Sequence, residues 1–151
     1  MNRNPEQSAP ETFETTSLEQ TYSLGHKLAA RLGQGDCLAM IGPLGAGKTA
    51  LVRGIAKGMG LADERIVSSP TYVLVQEYAA KTKIFHVDLY RLGDPGVEIA
   101  DLGLDEMLAG GLVLIEWADR GSGQLPPTRW EIKIEITGEE SRRFTLSGIH
   151  Q

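Results

Sequence analysis

Two hydrophobic spacings run through this chain, one with the period of a helix and one with the period of a strand. Leu24, Leu28 and Leu32 fall on one stripe, which predicts an amphipathic helix over residues 18 to about 32. Ser17 is placed as its N-cap, and Gln20, three residues on, completes a capping box. Gly33-Gln34-Gly35 ends it. A second stripe, Leu51, Ile55 and Met59, predicts a helix that gives out around Gly58-Met59-Gly60. A third helical segment spans residues 97 to about 108, broken near Gly103 and restarted with Asp105 and Glu106. Asp94-Pro95-Gly96 reads as the turn before it, and Gly110-Gly111 closes it.

The strand pattern is equally plain. Residues 12–15 can form a short edge strand, and residues 37–41 and 112–115 are continuous apolar runs suited to burial on both faces. Residues 65–67 read as a further short strand. Residues 72–78 and 83–89 are β-rich and separated only by Ala79-Ala80-Lys81-Thr82, so an antiparallel hairpin is the economical pairing. After a loop over 121–127, residues 130–136 alternate strictly, isoleucines inward and charges outward. Gly138-Glu139-Glu140 then turns the chain into residues 142–146, a second hairpin. Helices alternating with strands that include two hairpins predict an α/β fold with a mixed, partly antiparallel sheet.

The length of 151 residues suits one α/β domain, expected over 11–151, behind a polar tail of residues 1–10 punctuated by Pro5 and Pro10. No internal repeat or domain linker interrupts it. No apolar run approaches a membrane span and the N-terminus carries no apolar signal core, so a cytoplasmic location is the expectation. The single Cys37 lies in an apolar strand and reads as a small buried hydrophobe. The net charge of −5 argues against tight, non-specific nucleic-acid binding by this chain alone, because such binding rests on many cation–phosphate contacts.

The chemistry is concentrated in Gly42-Pro43-Leu44-Gly45-Ala46-Gly47-Lys48-Thr49, which satisfies G-x-x-x-x-G-K-[ST] between an apolar strand and a helix. That context makes a phosphate cradle, with loop N–H groups and the helix N-terminus facing the anion; Ala50 belongs to the same turn. Lys48 would reach the β- and γ-phosphates, and the Thr49 hydroxyl would sit on Mg²⁺. The reading is a nucleoside-triphosphate site. Such a site needs a carboxylate at the end of a neighbouring buried strand. Glu116, after residues 112–115, ranks first as metal ligand or water-orienting group, and Asp88, after residues 84–87, ranks second. Ser69-Pro70-Thr71 occupies the chain position of a γ-phosphate-sensing loop. His86 shares a strand face with Asp88 and reads as a packing or orienting residue. The scattered histidines and lone cysteine do not support a zinc site.

The glycine motif, Ser69-Pro70-Thr71-Tyr72, His86-Val87-Asp88-Leu89-Tyr90-Arg91-Leu92 and Ile115-Glu116-Trp117 together resemble the bacterial TsaE family, the small ATPase subunit of the tRNA threonylcarbamoyladenosine (t6A) machinery. They stand in the family's order and span about 40 to 125. The resemblance implies a three-layer P-loop NTPase domain. It also implies ATP and Mg²⁺ as cofactors, and slow ATP hydrolysis coupled to TsaB- and TsaD-type partners that modify adenosine 37 of tRNAs reading ANN codons. It implies metal contacts for Thr49, Glu116 and Asp88, a switch-like role for Thr71, and Leu18 and Arg142 beside the adenine. One departure is visible: the family usually carries proline after the Glu-Trp pair, where this chain has Ala118. Two other readings of a phosphate loop remain in play, a small-molecule kinase and a non-catalytic nucleotide-binding module. The short segment between the loop helix and the first hairpin leaves little room for a kinase lid.

Overall fold

The computed structural model describes residues 9–43, 45–68, 75–90, 92–93, 95–121 and 123–150, with Pro95 described by its backbone alone. Most of the expected tail, and Leu44, Ser69, Pro70, Thr71, Tyr72, Arg91 and Asp94, lie outside the described residues.

The fold is α/β around a seven-stranded mixed sheet. Its strands are β1 (Glu11–Thr15), β2 (Cys37–Ile41), β3 (Val75–Tyr78), β4 (Ile84–Asp88), β5 (Leu112–Glu116), β6 (Thr128–Ile136) and β7 (Arg142–His150). They lie in the order β1-β7-β6-β2-β5-β4-β3. Four neighbours, β6, β2, β5 and β4, run parallel, and antiparallel strands close both sides. The two continuous apolar runs, β2 and β5, are adjacent at the centre, because a strand covered on both faces must be apolar on both.

Helices α1 (Leu18–Leu28), α2 (Lys48–Gly58), α3 (Pro95–Leu102) and α4 (Leu104–Gly110) divide between the faces. Leu38 and Met40 of β2, Ile84 of β4 and Leu112 and Leu114 of β5 pack with Leu24 and Leu28 of α1 and Leu51, Val52 and Ile55 of α2. The alternate residues Cys37, Ala39, Phe85, Val87, Val113 and Ile115 pack with Ile99 of α3 and Met107 of α4. The strand period of two therefore sorts one chain into two cores.

Helices α1 and α2 meet backbone to backbone. A Cβ on Gly54 would stand 2.0 Å from the Tyr22 carbonyl oxygen, and one on Gly25 would stand 2.3 Å from that of Leu51. Only glycine fits at this crossing, and it draws α1 against the helix that follows the phosphate-loop motif.

Several expectations shift on contact with the structure. Residues 65–67 are not a strand: Glu64–Ile66 form a 3-10 turn, capped by Asp63, whose Oδ1 accepts from the Arg65 N–H at 3.0 Å. The local cap outweighs the β-branched pair because Ile66 has no core to enter and is 55% exposed. The expected turn at Asp94-Pro95-Gly96 is instead the start of α3 at Pro95, where the missing N–H costs nothing. The first helix stops at Leu28 and tightens into a 3-10 turn over Ala29–Arg31. Ser17 caps it as expected, its Oγ accepting from the Gln20 N–H, but the Gln20 side chain reaches back to the Thr16 N–H instead of closing the box on Ser17. On β6 the inward isoleucines end at Ile134; Ile136 is 48% exposed, because β2 stops at Ile41, opposite Lys133. No helix among the described residues is long and apolar enough to cross a membrane.

Candidate functional site

The site lies at the C-terminal ends of β2, β5 and β4, where ligands of parallel α/β sheets are received. From Gly42 the chain leaves β2, loops and enters α2 at Lys48. Gly45 and Gly47 adopt φ of 78° and 94°, the left-handed region that glycine enters without a Cβ clash. This bends the loop so that α2 starts with Lys48, Thr49 and Ala50. Ala46, between the two glycines, is fully buried.

Four ionisable side chains converge here and are nearly excluded from water: Lys48, His86, Asp88 and Glu116. Register explains the meeting. Asp88 pairs with Glu116 across β4–β5, and Met40 pairs with Glu116 across β2–β5, so both carboxylates end their strands level with the start of the loop. The alternation that sends Leu114 and Ile84 toward α2 sends Glu116, His86 and Asp88 to the same face.

Each group has a partner. The Lys48 ammonium donates to the Gly42 carbonyl at 2.7 Å and lies 3.5 Å from the centroid of the Trp117 ring. Burial pulls its pKa below the ordinary lysine value, while the charges of Glu116, Asp88 and Asp119 oppose that shift. Trp117 is the one described non-glycine residue with positive φ, at 56°, and Tyr90 packs on it with ring centroids 4.8 Å apart. Asp88 accepts from the Tyr90 N–H at 2.8 Å, fixing the chain as it leaves β4. Glu116 faces His86, with Nε2 2.5 Å from Oε2, and His86 Nδ1 lies 2.9 Å from the Tyr78 hydroxyl. After Trp117, Ala118 opens a 3-10 turn over Ala118–Gly121.

Arg142, at the start of β7 and two strands from β2, reaches the loop. Its guanidinium donates to the carbonyls of Ala46 at 3.1 Å and Gly45 at 2.9 Å. The start of α1 also borders the loop, since a Cβ on Gly47 would stand 3.7 Å from the Thr21 side chain. Leu18, one turn earlier, is half exposed. The structure thus gathers Gly42, Gly45, Ala46, Gly47, Lys48, Asp88, Glu116 and Arg142 at one end of the sheet, with Thr49 and Ala50 in the first turn of α2 and Leu18 in that of α1. Leu44 and Thr71 lie outside the described residues.

Two parts of the site were missed by sequence reasoning: the stacking of Lys48 on Trp117, and the link from Tyr78 through His86 to Glu116. The second had a signal. The hairpin register sets Gln76 opposite His86, so Tyr78 stands diagonally beside His86 on the same face.

Among the described residues no group of three or more His, Cys, Asp and Glu is arranged to hold a metal. The oxygen donors at hand, the Thr49 hydroxyl with one or two carboxylates, suit Mg²⁺, which commonly completes its octahedron with waters and substrate phosphates. Cys37 takes no part: burial pushes its thiol up to about 12.

Comparison with known proteins agrees along nearly the whole chain. A family model described as threonylcarbamoyl adenosine biosynthesis protein TsaE matches residues 15–144. The tRNA threonylcarbamoyladenosine biosynthesis protein TsaE of Bacillus subtilis is 39% identical over 139 residues, which is 91% of this chain and 85% of that protein. Its counterpart in Streptomyces coelicolor is 35% identical over 133 residues, 83% of this chain and 88% of that one. The crystal structure of Bacillus subtilis YdiB superposes with a TM-score of 0.76 at 31% identity, covering 93% of this chain and 86% of that chain. With the match running from the end of β1 into β7, and so through every strand and turn that builds the site, this chain belongs to the TsaE family.

Proposed function

We propose that this protein is a P-loop ATPase of three-layer architecture that binds MgATP at the Gly42–Thr49 loop. It hydrolyses ATP slowly in support of t6A modification at position 37 of tRNAs reading ANN codons. The observation that carries this reading is the burial of Lys48, Asp88 and Glu116 together at the strand ends around a loop bent by Gly45 and Gly47. Buried charges of both signs with no apolar compensation are costly to a fold and are kept where a ligand uses them.

In this reading the loop N–H groups and Lys48 hold the phosphates, and Lys48 leaves the Trp117 ring and the Gly42 carbonyl to do so. Thr49, with Asp88 and Glu116, would hold Mg²⁺, which when bound neutralises the charge developing on the phosphoryl oxygens. Glu116 or Asp88 orients the attacking water. Arg142 keeps the loop carbonyls turned away from the phosphates. Leu18 and Arg142, from the two ends of the chain, border the adenine, and Thr71 senses the γ-phosphate.

The chain works with TsaB- and TsaD-type partners, and these hold the tRNA, in keeping with the net charge of −5. Hydrolysis is slow alone because the nearby described arginines are directed elsewhere: Arg142 to loop carbonyls, Arg53 to the Val67 carbonyl, and Arg120 over the Tyr90 ring at 6.0 Å from its centroid. Arg91, the other candidate, lies outside the described residues. An arginine supplied by a partner can be worth roughly 10³–10⁵ in rate.

The decisive experiment is t6A synthesis reconstituted from the purified partners with and without this protein and ATP, alongside phosphate release from labelled ATP. Modification that needs both, with phosphate passed only to water, is the expected result. Phosphate on a small molecule would make the protein a kinase. Absence of turnover with saturating, bound partners would make it a binding module.

A further inference from the structure

The group beneath the two carboxylates is a buried polar chain that the proposed reaction does not by itself require. His86 is fully buried on β4, on the face where Ile84, two residues earlier, presents a hydrocarbon side chain. A histidine there is costly unless both ring nitrogens are satisfied. Both are. Glu116 Oε2 lies 2.5 Å from Nε2, and the Tyr78 hydroxyl lies 2.9 Å from Nδ1.

Proton directions follow from the donor inventory. An ionised carboxylate only accepts, so Nε2 carries the hydrogen that Glu116 receives. In the neutral ring Nδ1 is then the acceptor, and the phenol of Tyr78 donates to it. Tyr78 remains a phenol: burial, reinforced by the charge of Glu116, pushes its pKa up to about 12 against the opposing charge of Arg53. The Gln76 side-chain amide lies 2.8 Å from the Tyr78 oxygen, and with its N–H₂ end in that place it donates to it. The Ser68 carbonyl, 3.4 Å away, is itself only an acceptor and receives no hydrogen once the phenol donates to Nδ1.

The chain therefore runs from Glu116 through His86 to Tyr78. It lies along one diagonal of the sheet, from β5 across β4 to β3, and so inherits the rigidity of the strands.

We propose that His86 and Tyr78 are positioning residues for the ATPase, locking the Glu116 carboxylate in the single rotamer that hydrolysis uses. This rests on the reading of Glu116 as the group that acts on the reacting water or its metal. One Glu116 oxygen is tied down by His86, which leaves the other to do that work. Without the tie, the carboxylate rotates, and a displacement of about 1 Å at such a group is worth on the order of 10² in rate. Neither residue need touch nucleotide.

The test is a double-mutant cycle on the full-length protein, read as ATP KM and kcat separately. Tyr78→Phe removes one hydroxyl and keeps the ring, and it is expected to lower kcat severalfold with KM little changed. His86→Leu removes the donor to Glu116 and is expected to lower kcat by about 10²-fold. His86→Gln, whose amide N–H can stand where Nε2–H stood, is expected to recover most of that loss. A role confined to folding would not be rescued in this way.

In the Glu116→Gln background, both Tyr78→Phe and His86→Leu are expected to have no further effect on kcat, because the group they position is gone. Should His86→Leu fail to fold, Tyr78→Phe carries the cycle alone. Full additivity of the losses with Glu116→Gln, or unchanged kcat in Tyr78→Phe and His86→Leu, overturns the proposal while leaving the ATPase reading intact. Wild-type turnover in Glu116→Gln itself overturns the role of Glu116, and the positioning proposal with it.

Discussion

The two hairpins of this sheet are built from the same strand pattern and do different work. The β6–β7 hairpin is long, with nine paired positions, and its inner face is apolar almost throughout: Trp130, Ile132 and Ile134 face Phe144 and Leu146. Its outer face carries the exposed pairs of Arg143 with Glu14 and Glu135. The β3–β4 hairpin is short, with four paired positions, and its inner face changes character within one strand, from Ile84 to His86 to Asp88. The first hairpin converts alternation into buried area. The second places polar groups where alternation would have put hydrocarbon, and each of these finds a partner at the site. Apolar alternation marks scaffold, and a polar residue that occupies an inward position marks chemistry. Arg142 is where a charged side chain of the scaffold hairpin reaches across to the loop.

The largest effects are expected at the loop and strand ends. Lys48→Ala removes a preorganised positive charge and is expected to lower MgATP turnover by about 10²–10³-fold, with weakened nucleotide binding by calorimetry. Thr49→Ala should impair metal-dependent use comparably. Wild-type binding and turnover in both variants would dismiss the loop as the site. Glu116→Ala is expected to cut kcat by about 10²–10⁴-fold while nucleotide affinity changes little, whereas Asp88→Ala also weakens metal-dependent binding. Normal turnover in both would mean that neither carboxylate acts. Trp117 fluorescence should change on adding nucleotide, as Lys48 leaves its ring.

On the scaffold side the effect is on stability. Trp130→Ala empties the centre of the β6–β7 face and is expected to cost about 3–5 kcal/mol, measured by urea unfolding followed by circular dichroism. Nucleotide affinity of the folded variant should be preserved; a loss at a temperature where it is fully folded would break the contrast between the hairpins. Arg142→Ala tests the crossing point. Losing two charged hydrogen bonds to the loop is expected to weaken nucleotide binding roughly tenfold with a smaller change in thermal midpoint. Smallest of all, Arg143→Ala, next along the strand but on the exposed face, should leave both nucleotide affinity and thermal midpoint unchanged within error.

Much of this was legible in the chain because the signals involved are local. Hydrophobic period predicted the helices and strands, with errors where a cap or a proline outweighed it, as at Asp63 and Pro95. The glycine motif in its strand–loop–helix setting located the loop proposed to cradle phosphate, and the spaced motifs identified the family. The sequence also ranked Glu116 and Asp88, since an acid ending an apolar run stands out. What the sequence could not express was which buried polar group meets which. Lys48 rests on Trp117, Glu116 is tied to His86, and the Gly45 carbonyl is held by Arg142, 97 positions away in the chain. Those contacts depend on strand order and on register between strands distant in sequence. A period of two says which face a residue takes, but not which strand lies beside it. Burial then enforces the pairings, because a polar group excluded from water must find its partner among the neighbours that topology supplies.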